Sequence, residues 1–301
     1  MSTVKPDEKL VLQLLSELPS IIEKSGNYSE LYGVELSNEG DSAKYYNEDS
    51  VKLLLGKLCK AYNNDHEKIS TQLVKILKWR SSFNPLSCGF KEKHNEFLEH
   101  IGIITSEKGQ VITWNIYGEL IHKKDEILNN PENLTKFIRY RVGLMERGIQ
   151  LLLLNNGVDA SGNGPANKKT LDDLYMIQVH DYATVSMFNR DPNFKKTVKE
   201  IIEIFQEYYP EWLKQKFFVN VHWSLGFIYN IFTKFINSEI KKKFVVLSDS
   251  HKLGEEYLGE YVPKETYGGN LPGSLASMKV KEIKPNDYIL HMIFETESEL
   301  D

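Results

Sequence analysis

An α/β fold is predicted for this chain: a helical N-terminal domain over residues 1–100, then over residues 101–301 a mainly parallel sheet flanked by helices. Three observations predict it. Apolar residues recur at helical spacing through the first hundred positions. Runs with period-two alternation begin only beyond Ile101. From there strand-like and helix-like segments alternate, the pattern of a parallel sheet covered on its faces. The 301 residues, 41% hydrophobic, suffice for a sizeable core. At about 100–200 residues per domain they fit one large domain with a smaller companion.

Each element follows from its pattern. Leu10, Val11, Leu14, Leu15 and Leu18 form a first helical stripe, which Pro19 is expected to end or bend. A second helix is predicted over 48–62, with Val51, Leu54, Leu55 and Leu58 on one face. A third, over 66–80, places Ile69, Leu73, Ile76 and Leu77 together. Residues 110–117 (QVITWNIY) read as a strand, with Val111, Thr113, Asn115 and Tyr117 opposite Ile112, Trp114 and Ile116. Helical spacing returns over 134–154. The Gly/Asn-rich stretch 155–169 reads as a mobile surface loop. A buried strand over 176–182, a helix over 193–209, a strand over 217–221, an apolar helix over 224–236 and a strand over 243–247 complete the alternation.

Composition excludes several classes. With 37 basic and 42 acidic residues and a net charge of -5, the chain lacks the concentrated basic face of a nucleic-acid binder. Cys59 and Cys88 have no metal-type spacing, which argues against a zinc site or a disulfide scaffold. The first residues are polar and do not read as a signal peptide. No stretch approaches the roughly 18 apolar residues of a membrane span. A cytoplasmic setting is expected, with any membrane contact peripheral.

The chemistry gathers in the run 176–182 (MIQVHDY), where strand geometry sends His180 and Tyr182 to the same face. An imidazole and a phenol on an interior face are costly unless satisfied. A hydrogen-bond network or a metal-centred ligand would each satisfy them, and the residues alone leave both open. Arg141 shares a largely apolar helix face with Phe137 and Met145. A buried arginine there requires an internal acid or a ligand carboxylate. Lys216, just before the 217–221 strand, reads either as an exposed edge lysine or as a second cation. Tyr117 ends its strand as packing or as a ligand contact. Tyr62 ends the second helix as a cap on the core or as an aromatic wall. No Ser/His/Asp arrangement, phosphate-cradling glycine motif or paired-carboxylate signature is present, so no catalytic residue is assigned.

Several segments occur in an order that resembles the CRAL-TRIO, or Sec-fourteen-like, family. Tyr208-Tyr209-Pro210-Glu211 is followed by Phe218-Val219-Asn220-Val221, the apolar 224–236 helix, Lys243-Phe244-Val245-Val246-Leu247 and Tyr267-Gly268-Gly269. LCKAY (58–62), WNIYG (114–118), RYRVGLME (139–146) and QVHDY (178–182) narrow the likeness. They resemble the fungal subgroup of non-classical phosphatidylinositol-transfer proteins that also bind haem. The resemblance implies a sheet-floored ligand cavity within 101–301 and a gating helix at 224–236. It also implies phosphatidylinositol binding or transfer, with Glu211 and Lys243 as lipid contacts. The departures are specific. The basic pair that classical phosphatidylinositol binders carry at the helix end is Ala61 and Tyr62 here. Ile240 replaces a hydroxyl residue, and His222 stands where the family usually has proline.

The resemblance also implies ferric haem b as cofactor. Tyr182 is then the axial iron ligand, since tyrosine is a haem ligand type, and His180 is its neighbour or the alternative ligand. Arg141 and Lys216 face the propionates, while Tyr117 and Tyr62 contact the porphyrin. A role in haem handling or oxidant response follows, at the cytoplasm with peripheral contact to endoplasmic reticulum membranes. Lys241, Lys242 and Lys243 are placed to assist contact with anionic lipid. The alternative is a phosphatidylinositol-transfer protein without functional haem. A catalase- or peroxidase-like enzyme ranks last, because no peroxide-cleaving distal motif is recognisable.

Overall fold

The computed structural model describes residues 4–94, 97, 102–154, 170–185, 192–222, 241–278 and 283–298. The predicted loop at 155–169 and the predicted gating helix at 224–236 lie outside the described residues, as does Ile240.

Among the described residues of the first hundred the chain is mainly helical, as predicted, with boundaries set by capping. Helix α1 (Glu8–Lys24) starts at Asp7, whose side chain accepts from the Lys9 amide. It runs through Pro19 to Lys24, so the proline does not end it. The backbone bond that proline forfeits is offset by burial of Leu18 and Ile21 on either side. A short hairpin, β1 (Glu30–Leu31) and β2 (Val34–Glu35), follows. Helix α2 (Glu48–Ala61) is capped by Asn47 and α3 (His66–Phe83) by Asp65. Asn84, at φ 54°, ends α3 in the left-handed region, and Pro85 opens α4 (Pro85–Phe90).

The C-terminal half is built on a five-stranded sheet of order β3-β4-β5-β6-β7. Its strands are β3 (Gly102–Glu107), β4 (Gln110–Ile116), β5 (Met176–Asp181), β6 (Leu213–Val219) and β7 (Phe244–Val246). β3 and β4 are antiparallel; the other three pairings are parallel. Between β4 and β5 run α5 (Tyr117–His122), α6 (Lys124–Ile127) and α7 (Pro131–Leu154); α8 (Pro192–Tyr208) joins β5 to β6. The sheet is thus mainly parallel and helix-connected, as expected, with one antiparallel edge strand that the sequence pattern did not reveal. Two boundaries differ in ways that matter. β6 begins at Leu213, so Lys216 lies inside a strand flanked on both sides rather than ahead of one. Tyr117 opens α5 rather than closing β4.

Helices α1, α2 and α3 share one apolar core with α7 and α8. Beyond β7 come α9 (Lys264–Tyr267) and α10 (Asp287–Ser298). Ile289 and Ile293 of α10 pack on Leu86 of α4, joining this helix to the N-terminal helices. Among the described residues no helix is long and apolar enough to cross a membrane.

Candidate ligand-binding site

Period-two alternation divides the sheet into unlike faces. Ile112, Trp114, Ile177, Val179, Phe217 and Val219 are buried together on the apolar face, under Leu253, Leu258 and Tyr267. The other face is polar. Thr113 and Asn115, Gln178 and His180, and Lys216 and Phe218 pair rung by rung across β4, β5 and β6. All six are buried. Helix α7 covers this face, with Gly148 set against Thr113 and Met176.

The structure brings most of the sequence-predicted residues to this face. Tyr182 follows β5 directly, and its amide still donates to the Val219 carbonyl, so the alternation that places it beside His180 persists. The Tyr117 ring centroid lies 5.2 Å from those of both His180 and Tyr182. Phe218 lies 5.3 Å from His180 and 6.3 Å from Tyr182. Phe194 meets Tyr117 edge-on at 5.8 Å.

Two cations border this stack. Arg141 is 3% exposed, with its guanidinium carbon 5.9 Å from the Phe205 ring centroid. The Lys216 ammonium lies 5.4 Å from the Phe218 ring and 5.8 Å from that of Phe244. Among the described residues neither meets a carboxylate. Arg141 Nε and Nη1, His180 Nε2 and Asn115 Oδ1 are buried without hydrogen-bond partners there. Most buried polar groups are satisfied; half of the unpartnered buried side-chain atoms among the described residues fall here, the others on Ser70, His94 and Trp212, and the four here are atoms that a polar ligand could meet.

Burial also sets the protonation states. It drives the His180 imidazole well below its usual value, helped by Lys216 and Arg141, so the ring is neutral. It raises the Tyr182 phenol well above the usual range, with Tyr117 adding to the effect and Arg141 opposing it. Lys216 is lowered to about 7, first by burial and then by Arg141. An unfolded lysine titrates near ~10.4, so from about pH 7 to about pH 10 the folded chain binds fewer protons than the unfolded one. Stability of the ligand-free protein therefore rises with pH across that window. Lys57, also lowered by burial, acts in the same direction. Lys216→Met should flatten the rise, measured as urea midpoints from about pH 7 to about pH 9.5; a flat wild-type profile would contradict this.

Asp181, between His180 and Tyr182, points to the opposite side. Its carboxylate accepts from the Ala183 amide, Asn220 Nδ2 and the Tyr267 hydroxyl, each at 2.8 Å, and so pins the end of β5. Gly118 supports the same corner, because a Cβ there would lie 2.1 Å from the Ala183 carbonyl oxygen. Gly118→Ala must push apart the turns carrying Tyr117 and Tyr182. A loss of about 1–3 kcal/mol is expected, read as a lower thermal midpoint together with altered ligand affinity; an unchanged midpoint would sink this reading.

Glu211 and Lys243, the lipid candidates, belong to a separate cluster where they pair at 3.1 Å. The Tyr175 hydroxyl donates to Glu211, and Lys57 Nζ donates to the Glu211 carbonyl at 2.7 Å. Lys57 also sits 4.0 Å and 4.4 Å from the ring centroids of Tyr175 and Trp212. Lys60 pairs with Asp172. Lys243 and Lys60 thus have carboxylate partners, unlike Arg141 and Lys216, while Lys57 meets a backbone carbonyl and two rings. Tyr62 caps α2 elsewhere, lining a surface groove with Asp65, Glu67, Lys68, Thr71 and Gln72. Burial and then Glu207 raise its phenol to about 12. No described contact joins it to the Tyr117–His180–Tyr182 stack. His222 is exposed.

The CRAL/TRIO domain family matches residues 106–269. The chain belongs to this family. This CRAL/TRIO chain is 44% identical over 304 residues to a Candida glabrata protein named phosphatidylinositol transfer protein SFH5, covering 97% of each. A Saccharomyces cerevisiae protein of the same name is 41% identical over 298 residues, 95% of each. Among solved structures, the crystal structure of Sfh5 matches with a TM-score of 0.82 at 40% identity, over 97% of both chains.

In this CRAL/TRIO chain Asn115, Asp181, Phe194 and Lys57 belong to these clusters although no single motif marks them. Asn115 and Asp181 carried a signal: each is a polar residue inside a run that otherwise reads as buried strand. Phe194 and Lys57 reach their clusters only through tertiary packing.

Proposed function

We propose that this CRAL/TRIO protein holds ferric haem b on the polar face of its sheet, within a family whose relatives are named for phosphatidylinositol transfer. The observation that carries the reading is the pair of buried cations, Arg141 and Lys216, without acid partners beside a Tyr/His/Tyr stack. The residues fit the group. Tyr182 would supply an oxygen ligand to the iron, with the His180 ring as the neighbouring or alternative ligand. Arg141 and Lys216 hold the two carboxylates, and Tyr117 and Phe218 offer apolar ring faces. Haem supplies a ferric centre and a flat ring with two carboxylates. The protein's own part is to bind it, exclude water and set the iron's electronics through the phenolate. The role is haem handling or oxidant response rather than catalysis, in the cytoplasm with peripheral contact to endoplasmic reticulum membranes.

Titrating ligand-free protein with ferric haem tests this. A saturable one-to-one absorption change with a ferric tyrosinate signature is expected. A protein that stays colourless after haem supplementation, and copurifies only with phospholipid, defeats the reading.

The names of the relatives favour a second reading, phosphatidylinositol binding and transfer. Its headgroup contacts are Glu211 and Lys243, which must exchange their mutual ion pair for the lipid. Transfer between vesicles by haem-free protein decides it, and no phosphatidylinositol movement counts against it.

A further inference from the structure

We infer that the site recognises flat tetrapyrrole dicarboxylates through their two carboxylates, so that a metal-free porphyrin diacid is a ligand in its own right. This rests on the proposed placement of the ligand against Arg141 and Lys216, and extends it from one cofactor to a chemical class.

Buried charge on this face must balance. Arg141 and Lys216 are both buried on the polar face, and no acid among the described residues compensates either. The acids nearest in sequence or on packed elements are engaged elsewhere. Asp181 is held by Ala183, Asn220 and Tyr267. Glu146 of α7 is held by Arg80 and Tyr209. Glu211 is held by Lys243 and Tyr175.

Two buried positive charges call for two negative ones. A porphyrin diacid brings two carboxylates on an uncharged ring and so matches both cations. Recognition of the ring and its acids then does not depend on iron. A phosphodiester lipid brings one negative charge, and a porphyrin diester brings none. The two cations border a wall of rings that pack on one another, Tyr117 with Tyr182 at 5.2 Å and Tyr182 with Phe218 at 6.3 Å, an apolar surround for the ring that carries the two acids.

The test uses full-length, ligand-free protein titrated with protoporphyrin IX and, separately, with its dimethyl ester, following porphyrin fluorescence and absorption. Ferric haem is titrated in parallel. The diacid is expected to bind about tenfold or more tightly than the ester, the difference one or two charged hydrogen bonds supply. Arg141→Met should collapse that preference and Arg141→Lys should restore part of it, with circular dichroism reporting whether each variant folds. The wild-type comparison decides the matter even if neither variant folds. Equal binding of diacid and ester overturns the inference, and so does haem binding without diacid binding. Diacid binding with no tyrosinate spectrum from haem defeats the iron-ligand reading and leaves dicarboxylate recognition standing. Binding of neither defeats both.

Discussion

Arg80→Met should lower folding stability by about 3–5 kcal/mol, the usual cost of removing one partner from a buried ion network. Arg80, Glu30 and Glu146 are all 0% exposed. The guanidinium donates to Glu30 from Nε at 2.9 Å and Nη2 at 2.8 Å, and to Glu146 from Nη1 at 2.7 Å. The remaining lone pairs are used as well. Tyr28 and the Gly33 amide donate to Glu30, and Tyr209 donates to Glu146. Three parts of the fold therefore meet at one cation: the β1 hairpin, α3 of the N-terminal half, and α7 with the end of α8. Methionine fills much of the volume but leaves two carboxylates facing each other away from water. Lysine restores the charge but not the fork, so Arg80→Lys should recover only part of the loss.

Urea unfolding of both proteins at neutral pH measures the loss. A deficit under about 1 kcal/mol at neutral pH would show that the network is no more than a surface-type ion pair.

Much of this arrangement was legible in the sequence. Period-two alternation in QVITWNIY and MIQVHDY put Asn115 with Tyr117 and His180 with Tyr182, and both groupings share the polar face. The placement of Arg141 among apolar residues on its helix anticipated a buried cation. Lys216 was harder to read. A lysine at the start of an apolar run is ordinarily exposed, and only pairing on both sides by β5 and β7 buries it. β3 escaped because GIITSE has little alternation of its own and becomes a strand by pairing with β4. The burial of Lys57 was illegible for a related reason: its neighbours Tyr175, Glu211 and Trp212 are more than a hundred residues away in sequence. Local pattern fixes faces and periods, whereas the company a residue keeps across the fold depends on tertiary contacts that no local window contains.

Tyr182→Phe should reduce ferric haem affinity by about 100-fold or more and abolish the tyrosinate signature. Loss of a mere outer partner of a metal ligand costs 10–100-fold, and here the ligand atom itself is removed. The substitution is clean because the ring keeps its place: it still stacks on Tyr117 and lies beside Phe218, so only one oxygen is lost. His180→Ala, by contrast, should perturb the spectrum and leave the tyrosinate signature in place, separating ligand from neighbour. The wild-type affinity should also carry a two-limbed pH profile. Tyr182 is a phenol at neutral pH, held there by burial, and must release a proton to act as ligand. Below about pH 7 Lys216 is already charged, so binding releases a net proton and affinity rises with pH. Above that point Lys216 must take up a proton to face an anionic carboxylate, the two exchanges cancel, and the profile levels off. Lys216→Met should remove the plateau and let the rise continue. A spectrum unchanged in Tyr182→Phe would move the iron to His180 and leave Tyr182 as an aromatic wall.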